Sequence, residues 1–298
     1  WGDQPALTCE HVDWARACGF HVVCAGKGTR YLPAYHQLTP DTVWDVLVQY
    51  LHITDRSLIN PKMFNSFLDG TKSGIEMAAV CNATGLVSQP DGLTFPPASR
   101  FELSSVLRPK AFGGSLETTG TTEVVSSLTR AGDDIPHHLA MGTYVVIEGE
   151  TDYARRCFQE YHMLEDDSGR FAALYRPTHM IGMELGVSVA SVALRREPTG
   201  SPAGFVADVV ATAKRDLKAG EMLDGLGLQR RPSRPQARRR ANRRRPARPP
   251  RGPLRPRTVC RRGRQRLASR RRSGHDPRHG PGLVPARRAR LPKAGHPV

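Results

Sequence analysis

Two lysines stand where carbonyl chemistry could be done. Lys27 closes an apolar, β-branched run, Val22-Val23-Cys24-Ala25-Gly26, and is followed by Gly28-Thr29. Reducing a carbonyl needs an ammonium that polarises the oxygen and supplies a proton as hydride arrives. A lysine at a strand end reaches the crevice where open parallel sheets place their ligands, and flanking glycines let backbone N–H groups approach. The competing reading is a surface lysine in a turn. From residues alone that is the commoner outcome, because an isolated Gly-Lys-Gly is a weak motif. Lys72 lies in Asp69-Gly70-Thr71-Lys72-Ser73-Gly74-Ile75-Glu76. On one helix Asp69, Lys72 and Glu76 fall at i, i+3 and i+7, a single face. A carboxylate there holds the lysine protonated and oriented, as a proton donor or a substrate-hydroxyl anchor requires. The alternative is a solvated salt-bridge face worth well under about 1 kcal/mol. Gly70 and Gly74, each costing roughly 1 kcal/mol against Ala in a helix interior, favour something that approaches the backbone.

Other chemical groups carry less. His179, between Tyr175-Arg176-Pro177 and an apolar stretch, could contact substrate, although capping or packing is its commoner use. His137-His138 has no further ligands at metal spacing and reads as loop. The chain contains no G-x-S-x-G, H-E-x-x-H, P-loop or G-x-G-x-x-G. Six cysteines (Cys9, Cys18, Cys24, Cys81, Cys157, Cys260) form no C-x-x-C pair, which reads as a reducing, cytoplasmic setting without a disulfide frame or zinc site. No apolar run approaches the roughly 18 residues of a membrane span, and no signal-peptide pattern opens the chain.

These side chains need elements to hold them. Residues 5–19 read as one helix, with Pro5 suited to the first turn and Gly19 to the C-terminal cap. The run 21–26 reads as a buried parallel strand. Residues 31–60 are mixed. Asn60-Pro61 introduces a strong helix over about 63–84, ended by Gly85, and 86–120 is Pro- and Gly-rich loop. Residues 123–128 and 143–148 read as strands with a turn at Gly132-Asp133-Asp134. Residues 151–161 read as a helix capped by Thr151 or Asp152. Residues 179–194 read as an apolar helix whose small residues suit close packing in a core. From Asp208 something new begins, a strand leading into the charged turn Lys218-Ala219-Gly220-Glu221. The order suggests an α/β nucleotide-binding domain (1–35), then an α+β substrate or dimerisation domain (36–205).

Charge divides the chain. The net charge of +16 suggests a nucleic-acid binder, but residues 229–298 hold 24 Arg, one Lys and one Asp, leaving −8 for residues 1–228. The body is therefore mildly acidic. The tail has no Phe, Trp or Tyr and 12 of the 24 prolines, so it cannot bury enough apolar surface to offset ordering at about 1–2 kcal/mol per residue. It reads as disordered: an arginine arm that neutralises phosphates, or, favoured by the abrupt break, the product of a shifted reading frame in a GC-rich gene.

Val22-Val23-Cys24-Ala25-Gly26-Lys27 resembles the V-V-T-A-N-K motif of homoserine dehydrogenases, with Gly26 in place of Asn. That resemblance implies a catalytic acid/base role for Lys27. Gly70-Thr71-Lys72-Ser73-Gly74-Ile75-Glu76 is similar to the G-x-D-x-x-x-K helix whose Asp and Lys bind substrate. Here the charges are exchanged, Lys72 for the Asp and Glu76 for the Lys, which implies a substrate with an acidic or hydroxylated end rather than homoserine. Over roughly residues 1–225 the chain resembles homoserine-dehydrogenase-like oxidoreductases with a C-terminal SAF domain. The resemblance is carried by Asp13-Trp14-Ala15-Arg16, Gly26-Lys27-Gly28-Thr29-Arg30-Tyr31-Leu32-Pro33, Met63-Phe64-Asn65-Ser66-Phe67-Leu68-Asp69 and Leu174-Tyr175-Arg176-Pro177. Val210-Ala211-Thr212-Ala213-Lys214-Arg215-Asp216 is similar to the opening of the SAF domain.

The expectation is therefore an α/β chain: part of a Rossmann-type domain, an α+β substrate/dimerisation domain, the start of a SAF domain at 206–228, and the tail. It would be an NAD(P)-dependent oxidoreductase of a small polar carbonyl or alcohol, a homo-oligomer with no membrane partner. Lys27 and Lys72 would be catalytic, Asp69, Glu76 and His179 would bind substrate, and Gly26, Gly28 and Thr29 would lie near NADP or NAD. In the family the Gly-rich dinucleotide fingerprint lies upstream of these residues, so a truncated chain is expected to bind the coenzyme poorly. The alternatives are a SAF-type binding or assembly protein and nucleic-acid binding through the tail.

Overall fold

The computed structural model describes residues 3–49, 51, 53–216 and 218–220, together with the backbone of 228–233. Helix α1 (Asp3–Ala17) ends at Gly19, whose φ of 85° is the left-handed conformation expected at a glycine C-cap. Strand β1 (His21–Thr29) follows and runs three residues further than its apolar run. Lys27 is thus inside a strand rather than beyond it. A short α2 (Trp44–Leu47) interrupts the mixed region.

The helix expected over 63–84 is two helices. α3 (Pro61–Leu68) is opened by the Asn60 side chain, which accepts from the Lys62 and Met63 N–H groups. α4 (Thr71–Thr84) begins after Gly70, where φ is 85°. A helix cannot pass through a left-handed residue, and glycine alone adopts it without strain, so Gly70 makes a joint. The Pro/Gly-rich stretch that follows holds a short β2 (Val87–Ser88) and a turn of helix, α5 (Leu103–Val106).

β3 (Thr121–Ser126) and β4 (Thr143–Glu148) form where expected. α6 (Asp152–Glu160) is capped by Thr151, whose hydroxyl accepts from Ala154 N–H. β5 (Leu164–Glu165) and β6 (Phe171–Arg176) complete a six-stranded sheet in the order β2-β3-β1-β4-β6-β5. β2, β3 and β1 run parallel; β4, β6 and β5 are antiparallel additions. β1 lies in the middle, so the first 35 residues share one sheet with residues 87–176.

Each face of the sheet is covered. Val22, Ala25, Val145, Ile147 and Ala172 pack against Val12 and Ala15 of α1 and Phe158 of α6. Val23, Cys24, Tyr144, Val146 and Ala173 pack against Leu103, Leu107 and Leu116. Val23 and Cys24 share a face because β1 carries a bulge there: Val22 pairs with Ile147 but Cys24 with Val146. The extra residue resets the alternation. Lys27 consequently points to the α1 side with Val22 and Ala25, while Gly26 and Gly28 point the other way.

The apolar stretch near 179–194 is not a core helix. It forms a single short helix, α7 (Leu185–Ala190), and a π-helical turn, Ser191–Arg195. Met183, Leu185, Val189 and Leu194 are exposed, Leu194 by 82 %. Composition alone cannot assign an inward face to a helix that is apolar all round. β7 (Asp208–Ala213) is the expected strand, and it pairs antiparallel with β8 (Leu228–Ser233). Residues 229–233, read from sequence as the start of the tail, therefore belong to a hairpin; 234–298 lie outside the described residues. Among the described residues no helix is long and apolar enough to cross a membrane, and no group of three or more His, Cys, Asp or Glu could hold a metal ion.

Candidate active site

Lys27 is 3 % exposed. Its neighbours come from two helices laid over the sheet. From α1, the Gln4 side chain accepts a hydrogen bond from Nζ at 3.1 Å and donates to the Gly142 carbonyl at 3.2 Å, tying the helix to the strand ends. From α4, the Glu76 carboxylate makes a close ion pair with Nζ. An ammonium carries three N–H donors. Among the described residues two are engaged, and one remains for an oxygen.

Glu76 is shared. Its second oxygen lies 3.4 Å from Lys72 Nζ, one helical turn away. Lys72 in turn lies 3.6 Å from Asp3 and over the Phe67 ring. The Asp3 carboxylate also reaches His179 Nε2 at 2.6 Å, too poorly aligned for a hydrogen bond, while His179 Nδ1 sits 2.6 Å from the Met141 carbonyl. Lys27, Glu76, Lys72, Asp3 and His179 thus form one chain of contacts running from the sheet outward. Its inner end is dry. Its outer end is open: Lys72 and Asp3 are 26 % and 32 % exposed.

Burial is the main influence on Lys27, and it pushes the amine's pKa below the usual 10.5 because the charged form loses its hydration. Glu76 opposes that shift most, Asp3 adds to the opposition, and Lys72 reinforces the lowering. A titratable amine so placed, with a specific charge partner, is a functional-site candidate on physical grounds.

Three expected site residues are elsewhere. Asp69 caps α3 rather than sharing a face with Lys72, and its carboxylate binds Lys214 at 2.8 Å. The carboxylates beside Lys72 are Glu76 and Asp3. Gly26 and Gly28 face away from Lys27, and neighbouring backbone fills the space a side chain would need. A Cβ on Gly26 would come within 1.8 Å of the Glu123 carbonyl oxygen, and one on Gly28 within 1.7 Å of that of Leu139. Strand packing accounts for both glycines, which removes the reason for giving them to a coenzyme. Thr29 remains at the strand end, its carbonyl accepting from Ser127 N–H. The described residues contain no Gly-rich phosphate turn.

Sequence reasoning missed four groups: Asp3, Gln4, Lys214 and Glu123. Glu123 is fully buried inside β3, where its carboxylate accepts from the N–H groups of Thr94, Phe95 and Val124 and from the Thr94 hydroxyl. Burial raises its pKa to about 7 against the pull of those donors. An acid inside the otherwise apolar and hydroxylic strand Thr121–Ser126 was the available signal.

A mixed sheet with three parallel strands on one side, helices over its faces and a buried lysine near the end of its β1 strand fits a Rossmann-like oxidoreductase domain. Residues 2–185, well over half the chain, match the family model described as oxidoreductase DRL, catalytic domain. The chain belongs to that family and is an oxidoreductase. No curated protein matches it.

Proposed function

We propose that the chain reduces the carbonyl, or oxidises the alcohol, of a small polar metabolite with NADP or NAD as redox partner, and that Lys27 moves the proton. One observation carries this reading: a buried primary amine, with one N–H unpaired among the described residues, stands near the end of the parallel strands. A carbonyl that gains a hydride leaves an oxyanion. The Lys27 ammonium gives it a proton and becomes the neutral amine, the form that burial favours. In the opposite direction the amine takes the proton back from the hydroxyl. Glu76 aims the ammonium. Lys72 and Asp3, at the open end, would meet the polar end of the substrate, and His179 would act at that edge through Asp3. The exchange of charges relative to homoserine dehydrogenases favours a substrate with an acidic or hydroxylated end. The likeness to that group, and to a SAF domain from residue 206, belongs to this proposal.

The pH dependence has a definite sign. With the pKa of Lys27 lowered, the ammonium is lost below pH 10.5, so reduction falls and oxidation rises as pH climbs through the folded-state value. Lys27→Ala should abolish that limb and slow reduction by about 10²–10⁴-fold. The measurement is NADPH oxidation against a panel of small hydroxyaldehydes and keto acids. An unimpaired variant would take Lys27 out of the mechanism.

A further inference from the structure

The family match ends at residue 185, yet a later segment lies along the helix that carries Glu76 and Lys72. It is tied at both ends of α4. At the C-terminal turn, the Asn82 side chain accepts from Val206 N–H (2.6 Å) and Ala207 N–H (3.0 Å) and donates to the Ala207 carbonyl (3.0 Å). The Asn82 carbonyl accepts from Ala203 N–H at 2.8 Å. In the middle, Val206, Ala207 and Val209 pack on Ala78 and Cys81. At the N-terminal end, Lys214 Nζ donates to Asp69 at 2.8 Å and to the Leu38 carbonyl at 2.7 Å, and both charged side chains are almost wholly buried.

We infer that Lys214 is a positioning residue for the Lys27–Glu76 centre, acting through Asp69 on the first turn of α4. The inference rests on the reading of Lys27 as the acid/base group. Gly70, the residue before α4, offers no side-chain cap. Asp69 takes that part: one of its oxygens accepts from Thr71 N–H at 2.9 Å, and the other accepts from Asn65 Nδ2 at 3.1 Å and from Lys214. A carboxylate at a helix N-terminus is favoured by the helix dipole, and the Lys214 ammonium balances its buried charge. Lys72 follows one residue after the anchored N–H, and Glu76 one helical turn after Lys72. Gly70 divides α4 from α3, and the Lys214–Asp69 contact fixes the start of α4 beyond that joint. Geometry at the acid/base group is sensitive to such motion, since a displacement of about 1 Å can cost 10²-fold in rate.

The test uses the full chain with the paired change Lys214→Met and Asp69→Asn, which removes both charges together. The 13Cε resonance of Lys27, assigned by its loss in Lys27→Met, is titrated with pH. The charged and polar groups facing it are Glu76 and Lys72 from α4 and Asp3 and Gln4 from α1. If α4 relaxes, the attraction of Glu76 weakens and the titration of Lys27 moves down by about one pH unit. In the same variant, kcat for NADPH-dependent reduction of glycolaldehyde should fall about 10- to 100-fold, with KM within about twofold. A folded variant whose Lys27 titration matches wild type overturns the inference. Should that pair be too unstable to titrate, Lys214→Gln with Asp69→Asn takes its place, removing both charges while keeping polar groups of similar size at the contact. The same downward movement is expected there, and an unmoved titration again overturns it. If Lys27→Met leaves glycolaldehyde reduction intact, the acid/base reading fails instead, and the titration still reports on Lys214.

Discussion

Lys27 and Lys214 each meet a buried carboxylate, one from the middle of the sheet and the other from a segment beyond the family's catalytic domain. Lys214 has one carboxylate and one main-chain carbonyl to itself, and the carboxylate's remaining hydrogen bonds go to Asn65 and Thr71. Each ammonium donates to two acceptors, but Asp69 faces Lys214 as its one cation, and that pair joins two helices to the end of a strand. Lys27 instead shares Glu76 with Lys72, two cations on one carboxylate. The difference teaches that burying an ion pair does not define its role. A buried pair of one cation and one carboxylate holds structure in place. A shared pair open at one end can change protonation during a reaction.

Breaking the one-to-one pair should give the largest stability change. Lys214→Met strands the Asp69 carboxylate and should cost about 3–5 kcal/mol of unfolding free energy, read by urea denaturation. Lys27→Met should cost far less, because Glu76 keeps Lys72 at 3.4 Å. Equal losses would erase the distinction between the two lysines.

Glu123 sharpens the contrast as a buried acid with hydrogen bonds in place of a cation. Its pKa is raised from 4.5 to about 7, so the folded state holds a proton that the unfolded state releases above pH 4.5. Stability from this group is present below pH 4.5 and is lost as pH rises through about 7. The total is on the order of 3 kcal/mol. Glu123→Gln should flatten that slope, its amide donating to the Thr94 hydroxyl while its oxygen keeps the N–H donors. Unfolding curves at pH 5 and pH 8 that keep the wild-type difference would rule out Glu123 as its source.

The smallest effect concerns Lys72. Being partly exposed, it should matter less than the proton donor itself: Lys72→Met is expected to slow reduction by about tenfold, against 10²-fold or more for Lys27→Met. Loss of the binding anchor should appear mainly in KM. A Lys72 variant as impaired in kcat as the Lys27 variant would make the outer lysine the acid.

Much of this fold could be read locally, because the signals act within a turn or two of chain. Gly19 stops α1, Thr151 starts α6, and the β-branched run 21–26 makes a strand. Gly70 misled by its context: inside an apolar periodic stretch it passes for a costly helix residue, while in the fold its left-handed backbone divides α3 from α4 and moves Asp69 off the Lys72 face. The exposed stretch around α7 failed for the opposite reason. An all-apolar helix promises burial, but nothing in it says what would cover it.

Lys27 and Glu76 were recognisable as chemical groups from their types and neighbours, and the family's redox character agrees with that reading. Their meeting was not recognisable. It depends on the bulge at Val22–Cys24 that turns Lys27 toward α1, on the packing of α4 against β3 beside α1, and on a lysine 145 residues beyond Asp69. Sequence alone determined which segments coil or extend and where a titratable amine follows an apolar run, because those preferences are set by sterics and hydrogen bonds between near neighbours. Only the tertiary structure decided which charges share a dry space, because side-chain direction and burial come from packing between elements far apart in the chain.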